Sequence, residues 1–189
     1  MNITVISEYI SAEVYGSLAD QEIKWLLTDS RSLSFPAGSL FFAIKTRRNN
    51  GHNYIPELYR QQLRHFVVSD LPQNYKEFPD AVFLLVPDTL RALQQLAAVH
   101  RSNFSVPVIG ITGSNGKTVV KEWLYQLLHA DKVVTRSPRS YNSQIGVPLS
   151  VWGLNEKTQI GIFEAGISQP GEMTFLEKVI KPEIGIFTN

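Results

Sequence analysis

Hydrophobic positions along this chain alternate between two rhythms. Short β-branched or aromatic runs are separated by longer stretches in which apolar residues recur every three or four positions. The runs Ile23 to Thr28, Leu40 to Ile44, His65 to Ser69 and Ala81 to Val86 predict strands, with a helix from about Asn53 to Gln62 between the second and third. An amphipathic stretch from Asp88 to about Asn103 then gives way to the connector Phe104-Ser105-Val106-Pro107, which marks a boundary. Beyond it, strands are expected at Val108 to Thr112, Val133 to Arg136, Gln159 to Ala165 and Ile184 to Thr188. Helices starting near Lys117, Ser143 and Pro170 alternate with them. Such alternation implies a parallel sheet with crossover helices, preceded by a mixed α/β unit.

Composition narrows the class without naming a chemistry. The 189 residues are 43% hydrophobic and 19% charged, which is ordinary for a soluble globular protein of one or two domains. The formal net charge is +1, and Arg47-Arg48 is the densest basic pair, so charge gives no argument for nucleic acid. The absence of cysteine excludes disulfides, thiolate metal sites and a cysteine nucleophile. Apolar runs such as Ala81 to Val86 are far too short to cross a bilayer, and Met1-Asn2-Ile3-Thr4 lacks a signal-peptide layout. A cytoplasmic protein without membrane insertion is expected. The final residues, Glu183 to Asn189, read as a buried strand running into a loop, where a natural domain rarely stops; a fragment is expected.

The candidate chemistry begins at Gly110-Ile111-Thr112-Gly113-Ser114-Asn115-Gly116-Lys117-Thr118. An apolar strand precedes this glycine-rich turn, and an apolar helical face at Val120, Trp123, Leu124, Leu127 and Leu128 follows it. That is the context of a phosphate loop, in which turn amides and a helix N-terminus converge on one anion. Gly113, Ser114, Asn115 and Gly116 would supply the cradle. Lys117 would reach the β and γ phosphates of a nucleoside triphosphate, and the Thr118 hydroxyl would sit on Mg2+. The usual pattern places glycine where this chain has Ile111, so a generic kinase or GTPase loop is a poorer match.

Other constellations admit two readings each. Glu164 ends the apolar run Gln159 to Ala165 near that loop, where ligands of open α/β sheets bind. It is either a magnesium ligand, direct or through water, or a solvated strand-end carboxylate. Tyr141-Asn142-Ser143-Gln144 leads into a helix and reads as a polar site or as an N-cap. Asp29-Ser30-Arg31 could bind an anion or form a surface turn with a local ion pair. His52 reads as a cap or hydrogen-bonding partner rather than a catalyst. The histidines are not paired as metal ligands, and no glycine-flanked serine elbow supports a hydrolase triad.

Taken together, these motifs resemble the Mur ligases, ATP-dependent amide-forming enzymes of peptidoglycan synthesis. Thr112 to Thr118 matches the family's own glycine spacing, which accounts for Ile111. The likeness continues through Asn142 to Pro148, Glu164-Ala165-Gly166, Pro170-Gly171-Glu172-Met173 and Pro182 to Asn189. Upstream, Asp29-Ser30-Arg31, Leu40 to Ala43 and Gly51-His52 are similar to the family's first domain. Lys45-Thr46 and Asn50 depart from the glycine and aspartate usual there.

The resemblance implies an α/β fold with a UDP-muramoyl-substrate-binding domain over residues 1–104. The first half of a P-loop parallel-sheet ATPase domain would follow over 105–189. Asn142 to Pro148 and Pro170 to Met173 are most like the branch that adds D-alanyl-D-alanine to UDP-N-acetylmuramoyl-tripeptide. It implies Lys117 and Glu164 as catalytic residues, Thr118 and Glu164 as metal-holding, and Ser30, Arg31 and Asn142 as substrate-binding. The family's later histidine, carbamylated lysine and third domain would lie beyond Asn189, so the piece alone is expected to be inactive. Lys121 to Leu128 and Ser137 to Asn142 are similar to bifunctional proteins in which such a ligase precedes an alanine racemase. The rival readings are a folylpolyglutamate synthase-like ligase and a non-catalytic nucleotide or UDP-sugar binding module.

Overall fold

The computed structural model describes all residues, Met1–Asn189, and they form two compact units, Met1–Leu96 and Ala97–Asn189. The division falls within a helix, α3 (Thr89–Ser102), upstream of the 104–107 connector.

The first unit is a five-stranded sheet in the order β1-β5-β4-β3-β2. Its strands are β1 (Glu13–Tyr15), β2 (Trp25–Leu27), β3 (Ser39–Phe42), β4 (His65–Val68) and β5 (Val82–Leu85). Strands β2 to β5 are parallel, which is why their sequences are unbroken apolar runs buried on both faces. Phe41, Phe66 and Phe83 share one core cluster with Leu58 and Leu63, and the Phe66 and Phe83 rings stack 5.4 Å apart.

The edge strand β1 runs antiparallel to β5. Neither β1 nor the helix α1 (Ile3–Tyr9) before it belongs to the pattern expected from sequence. Helix α1 carries its own signals: Ile3, Ile6 and Ile10 are buried along one face, and Asn2 caps it by accepting from the Thr4 amide at 2.8 Å. The expected helix from Asn53 is a 3-10 turn at Gly51–Tyr54 followed by α2 (Ile55–Arg60), with Pro56 in the first turn, where its missing N–H costs nothing.

The second unit is a four-stranded sheet in the order β7-β8-β6-β9, every pair parallel. Along the chain run β6 (Val108–Gly113), α4 (Lys117–Leu128), β7 (Val134–Arg136), α5 (Gly146–Val151), β8 (Ile160–Glu164), α6 (Glu172–Ile180) and β9 (Ile184–Thr188). The register pairs Ile111 with Glu164 and Gly113 with Thr188, so the carboxyl ends of β8, β6 and β9 lie side by side. Buried Arg101 ties the last turn of α3 to the α6–β9 corner: Nε donates to Ile180 O at 3.0 Å, and Nη2 to Lys181 O at 3.2 Å and to Glu183 at 3.0 Å.

Helix α4 is turned differently from its sequence-derived face. Val120, Leu124 and Leu128 pack on the sheet with buried Lys121, whereas Trp123 and Leu127 are 63% and 74% exposed. Residues 120, 124 and 128 form one stripe at helical spacing, while 123 and 127 belong to the neighbouring one.

Candidate functional site

Strand β6 ends at Gly113 with φ +132°, and Gly116 opens α4 at φ +79°. Both values suit glycine. Gly113 also lies where β6 and β9 are closest: a Cβ there would fall 2.0 Å from the Thr188 carbonyl oxygen. Thr188 Oγ1 donates to Thr112 O at 3.1 Å and also bonds Asn115 O, closing the turn. No side chain caps α4, so its first amides have neither an intrahelical partner nor a side-chain one. One turn amide is engaged: Asn115 N–H donates to Asn189 O at 2.5 Å.

The charged groups converge here. Lys117 Nζ folds back over the turn and donates to Gly113 O at 2.6 Å and Ser114 O at 3.3 Å. Thr118 Oγ1 donates to Glu164 Oε2 at 3.0 Å and lies 3.3 Å from Ser140 Oγ. Glu164 is fully buried. Asn142 Nδ2 lies 3.5 Å from the same Oε2, and its carbonyl accepts from the Gly166 amide at 2.7 Å. A cleft of about 630 Å³ opens beside Lys117 and Asn142, with Gly113, Ser114 and Gly166 also in its wall.

This arrangement fits a phosphate chain with a divalent cation. Uncapped helix amides and Lys117 supply positive potential at the cleft wall. Glu164 Oε1 is buried without an aligned hydrogen-bond donor, although Lys121 Nζ stands 2.9 Å away as an ion pair. That ammonium also donates to the carbonyls of Ser137 and Arg139, which leaves its third hydrogen for the carboxylates beside it. One carboxylate and one hydroxyl are too few for Mg2+, which takes six oxygens. No group of three or more His, Asp or Glu side chains gathers in the chain. Phosphate and water oxygens would have to complete the sphere.

The structure thus brings Gly113 to Thr118, Glu164 and Asn142 together. Ser30 and Arg31 lie in the first unit, in a 3-10 turn after β2. Arg31 forms a forked pair with Asp29, Nε to Oδ1 at 2.9 Å and Nη2 to Oδ2 at 2.6 Å, with its side chain 88% exposed. The hydrogen bonds from Arg31 hold the Asp29 carboxyl below its usual pKa.

A separate cleft of about 420 Å³ in that unit is lined by Lys45, Asn50, His52 and Asp70 among others. From sequence, His52 is expected to be a cap or hydrogen-bonding partner, and Lys45 and Asp70 carry no expected role. His52 Nε2 faces the amides of Ser69 and Asp70 at 3.0 and 3.3 Å, so it accepts, and Nδ1–H points at Asn50 Oδ1 at 2.9 Å. Burial pushes the His52 pKa down, the Lys45 charge adds to this, and Asp70 partly offsets it. Lys121 is the other residue missed. A lysine three positions after Thr118 reads as solvent-facing, and only the packing of α4 on the sheet shows that it points inward.

Comparison with known proteins agrees with this geometry. Residues 111–189 match the Mur ligase middle domain. The chain is 32% identical over 189 residues to the UDP-N-acetylmuramoyl-tripeptide–D-alanyl-D-alanine ligase of Bacillus subtilis, covering 95% of this chain and 40% of that protein. The Escherichia coli ligase of the same name is 28% identical and is also covered over 40% of its length. Among solved structures, MurF from Acinetobacter baumannii superposes with a TM-score of 0.88 at 27% identity, over 97% of this chain and 40% of that one. MurF from Thermotoga maritima in complex with ADP gives 0.72 at 31% identity, over 84% and 36%. The chain therefore spans about 40% of the length of the curated relatives it matches.

Proposed function

We propose that this chain belongs to the Mur ligase family and that the protein carrying it is an ATP-dependent ligase of the MurF type, acting in the cytoplasm. Its substrates would be UDP-N-acetylmuramoyl-tripeptide and D-alanyl-D-alanine. In this reading residues 1–104 bind the UDP-muramoyl substrate through Ser30 and Arg31, and residues 105–189 bind the nucleotide. The observation that carries the reading is the pairing of Thr118 Oγ1 with buried Glu164 at 3.0 Å, beside Lys117 and the uncapped start of α4.

The reaction must bring two anions, a carboxylate and a triphosphate, within bonding distance. The terminal carboxylate of the tripeptide takes the γ-phosphoryl group as ADP leaves. The amine of D-alanyl-D-alanine then displaces phosphate to form the amide. Lys117 is the residue that offsets the repulsion: freed from the Gly113 and Ser114 carbonyls, its ammonium can meet phosphate oxygens instead. Mg2+, when bound, would supply further charge neutralisation at the phosphates. Thr118 and Glu164 would hold it, and Asn142, on the cleft wall, would orient the substrate. The likeness of Lys121 to Leu128 and Ser137 to Asn142 to ligase–racemase proteins supports a further proposal, an alanine racemase domain downstream, testable by racemisation of L-alanine.

The test is mass spectrometry of the protein that carries this chain, supplied with both substrates, ATP and Mg2+. The muramoyl product should gain D-alanyl-D-alanine less one water, and Lys117→Ala should lower turnover at least about a hundredfold with an unchanged far-UV CD spectrum. Full turnover in that variant would refute the assignment. Calorimetric binding of a folate instead of the muramoyl nucleotide would favour a folylpolyglutamate synthase-like enzyme. Binding of ATP and UDP-sugar without turnover would favour a binding module.

A further inference from the structure

Lys121 is a buried lysine inside the candidate nucleotide site, and no role in the proposed reaction has been given to it. It is fully buried, a position lysine almost never takes without being paired. Its Nζ lies 2.9 Å from Glu164 Oε1 and 3.1 Å from Glu122 Oε1, and it donates to Ser137 O at 2.9 Å and to Arg139 O. Glu122 is shared with Arg136 and is partly exposed. Fully buried Glu164 is therefore the main counter-charge that Lys121 has inside the protein.

We infer that Lys121 is a positioning residue for metal binding: its ammonium fixes one carboxylate oxygen of Glu164 so that the other faces Thr118. The division of labour is visible in the two oxygens. Oε1 faces Lys121, while Oε2 faces the Thr118 hydroxyl at 3.0 Å and Asn142 at 3.5 Å. The same ammonium pins the segment after β7, whose Ser137 hydroxyl accepts the Glu164 amide N–H at 3.2 Å and whose Arg139 sits at φ +49°. One side chain from α4 thus ties Thr118's helix, the 137–139 turn and the end of β8 into one arrangement. Without it, Glu164 would be a buried, uncompensated charge with nothing to hold its carboxylate in this orientation. The inference rests on the nucleotide-site reading above, and the test separates the two.

The experiment measures ADP affinity by calorimetry, with excess EDTA and with Mg2+, for the wild type and for Lys121→Met in the protein that carries this chain. Partners that orient a metal ligand typically govern about 10–100-fold in metal affinity. The Mg2+-dependent gain in ADP affinity should therefore fall about tenfold or more in Lys121→Met, while metal-free ADP affinity stays within about threefold. A general loss of structure would lower both alike. Equal Mg2+ gains in variant and wild type overturn the inference and leave the nucleotide site standing. A wild type with no Mg2+ gain overturns the inference alone, and one that binds no ADP in either condition overturns the nucleotide site as well. Should Lys121→Met not fold, Lys121→Met/Glu164→Gln removes both charges and should melt within a few degrees of Glu164→Gln alone. A double variant that still does not fold shows that Lys121 acts on something other than Glu164.

Discussion

Gly113 shows at single-residue scale how the backbone builds the site. Gly113→Ala must accept φ +132° and a Cβ 2.0 Å from the Thr188 carbonyl, whereas a Cβ on Gly185, one strand away, meets nothing within 4 Å. The first carries backbone strain of about 1–3 kcal/mol before any clash is counted, and the second should be neutral or slightly stabilising. Thermal melting should show a drop of several degrees or more for Gly113→Ala and none for Gly185→Ala; equal melting temperatures would contradict the close β6–β9 contact. Gly113 to Thr118 and Glu164 were legible in the sequence because a phosphate loop is a local pattern and a strand-end carboxylate follows from strand alternation. Lys121 was not, because its burial depends on which of two adjacent helical stripes faces the sheet. The Lys45, His52 and Asp70 cleft was not legible either, since β3, β4 and the turn between them must first be brought side by side.

Helix α4 carries a second prediction at the scale of elements. Trp123 is the larger side chain but lies on the exposed stripe, and Leu124 packs toward the sheet. Trp123→Ser should change stability by no more than about 0.5 kcal/mol, and Leu124→Ala should cost on the order of 2 kcal/mol. Urea denaturation separates them, and the reverse order would mean that the helix is rotated by one position. At the N-terminus, Asn2→Ala removes the cap on the Thr4 amide and should cost about 1 kcal/mol. Most strands were legible because parallel, doubly buried strands appear as unbroken apolar runs. Helix α1 is too short to stand out as a helical period, although Asn2 and the spacing of Ile3, Ile6 and Ile10 fit it. Strand β1, with Glu13, Val14 and Tyr15, has no apolar run to find; it exists because β5 offers it an edge.

For the molecule as a whole, three histidines set the acid side of stability. Burial is the leading cause that lowers the pKa of His52, His65 and His100 below 6.5. At low pH the unfolded chain then binds more protons than the folded one. Their contribution is complete above about pH 6.5 and is lost as pH falls below it. The melting temperature should therefore decline between pH 7.5 and 5.5, ahead of any carboxylate titration; a flat profile would contradict the neutral, hydrogen-bonded state assigned to His52. The parallel order β7-β8-β6-β9 was legible as a class from strand–helix alternation. Its register, which places Glu164 beside Ile111, required the structure. The central claim is that this register creates a nucleotide site, and ADP titration with and without Mg2+ tests it most directly. Wild-type protein should bind ADP more tightly with Mg2+, and Lys117→Ala should lose at least about tenfold in affinity, the loss of one charge-assisted contact. Equal ADP affinity in wild type and Lys117→Ala, with or without Mg2+, would contradict it.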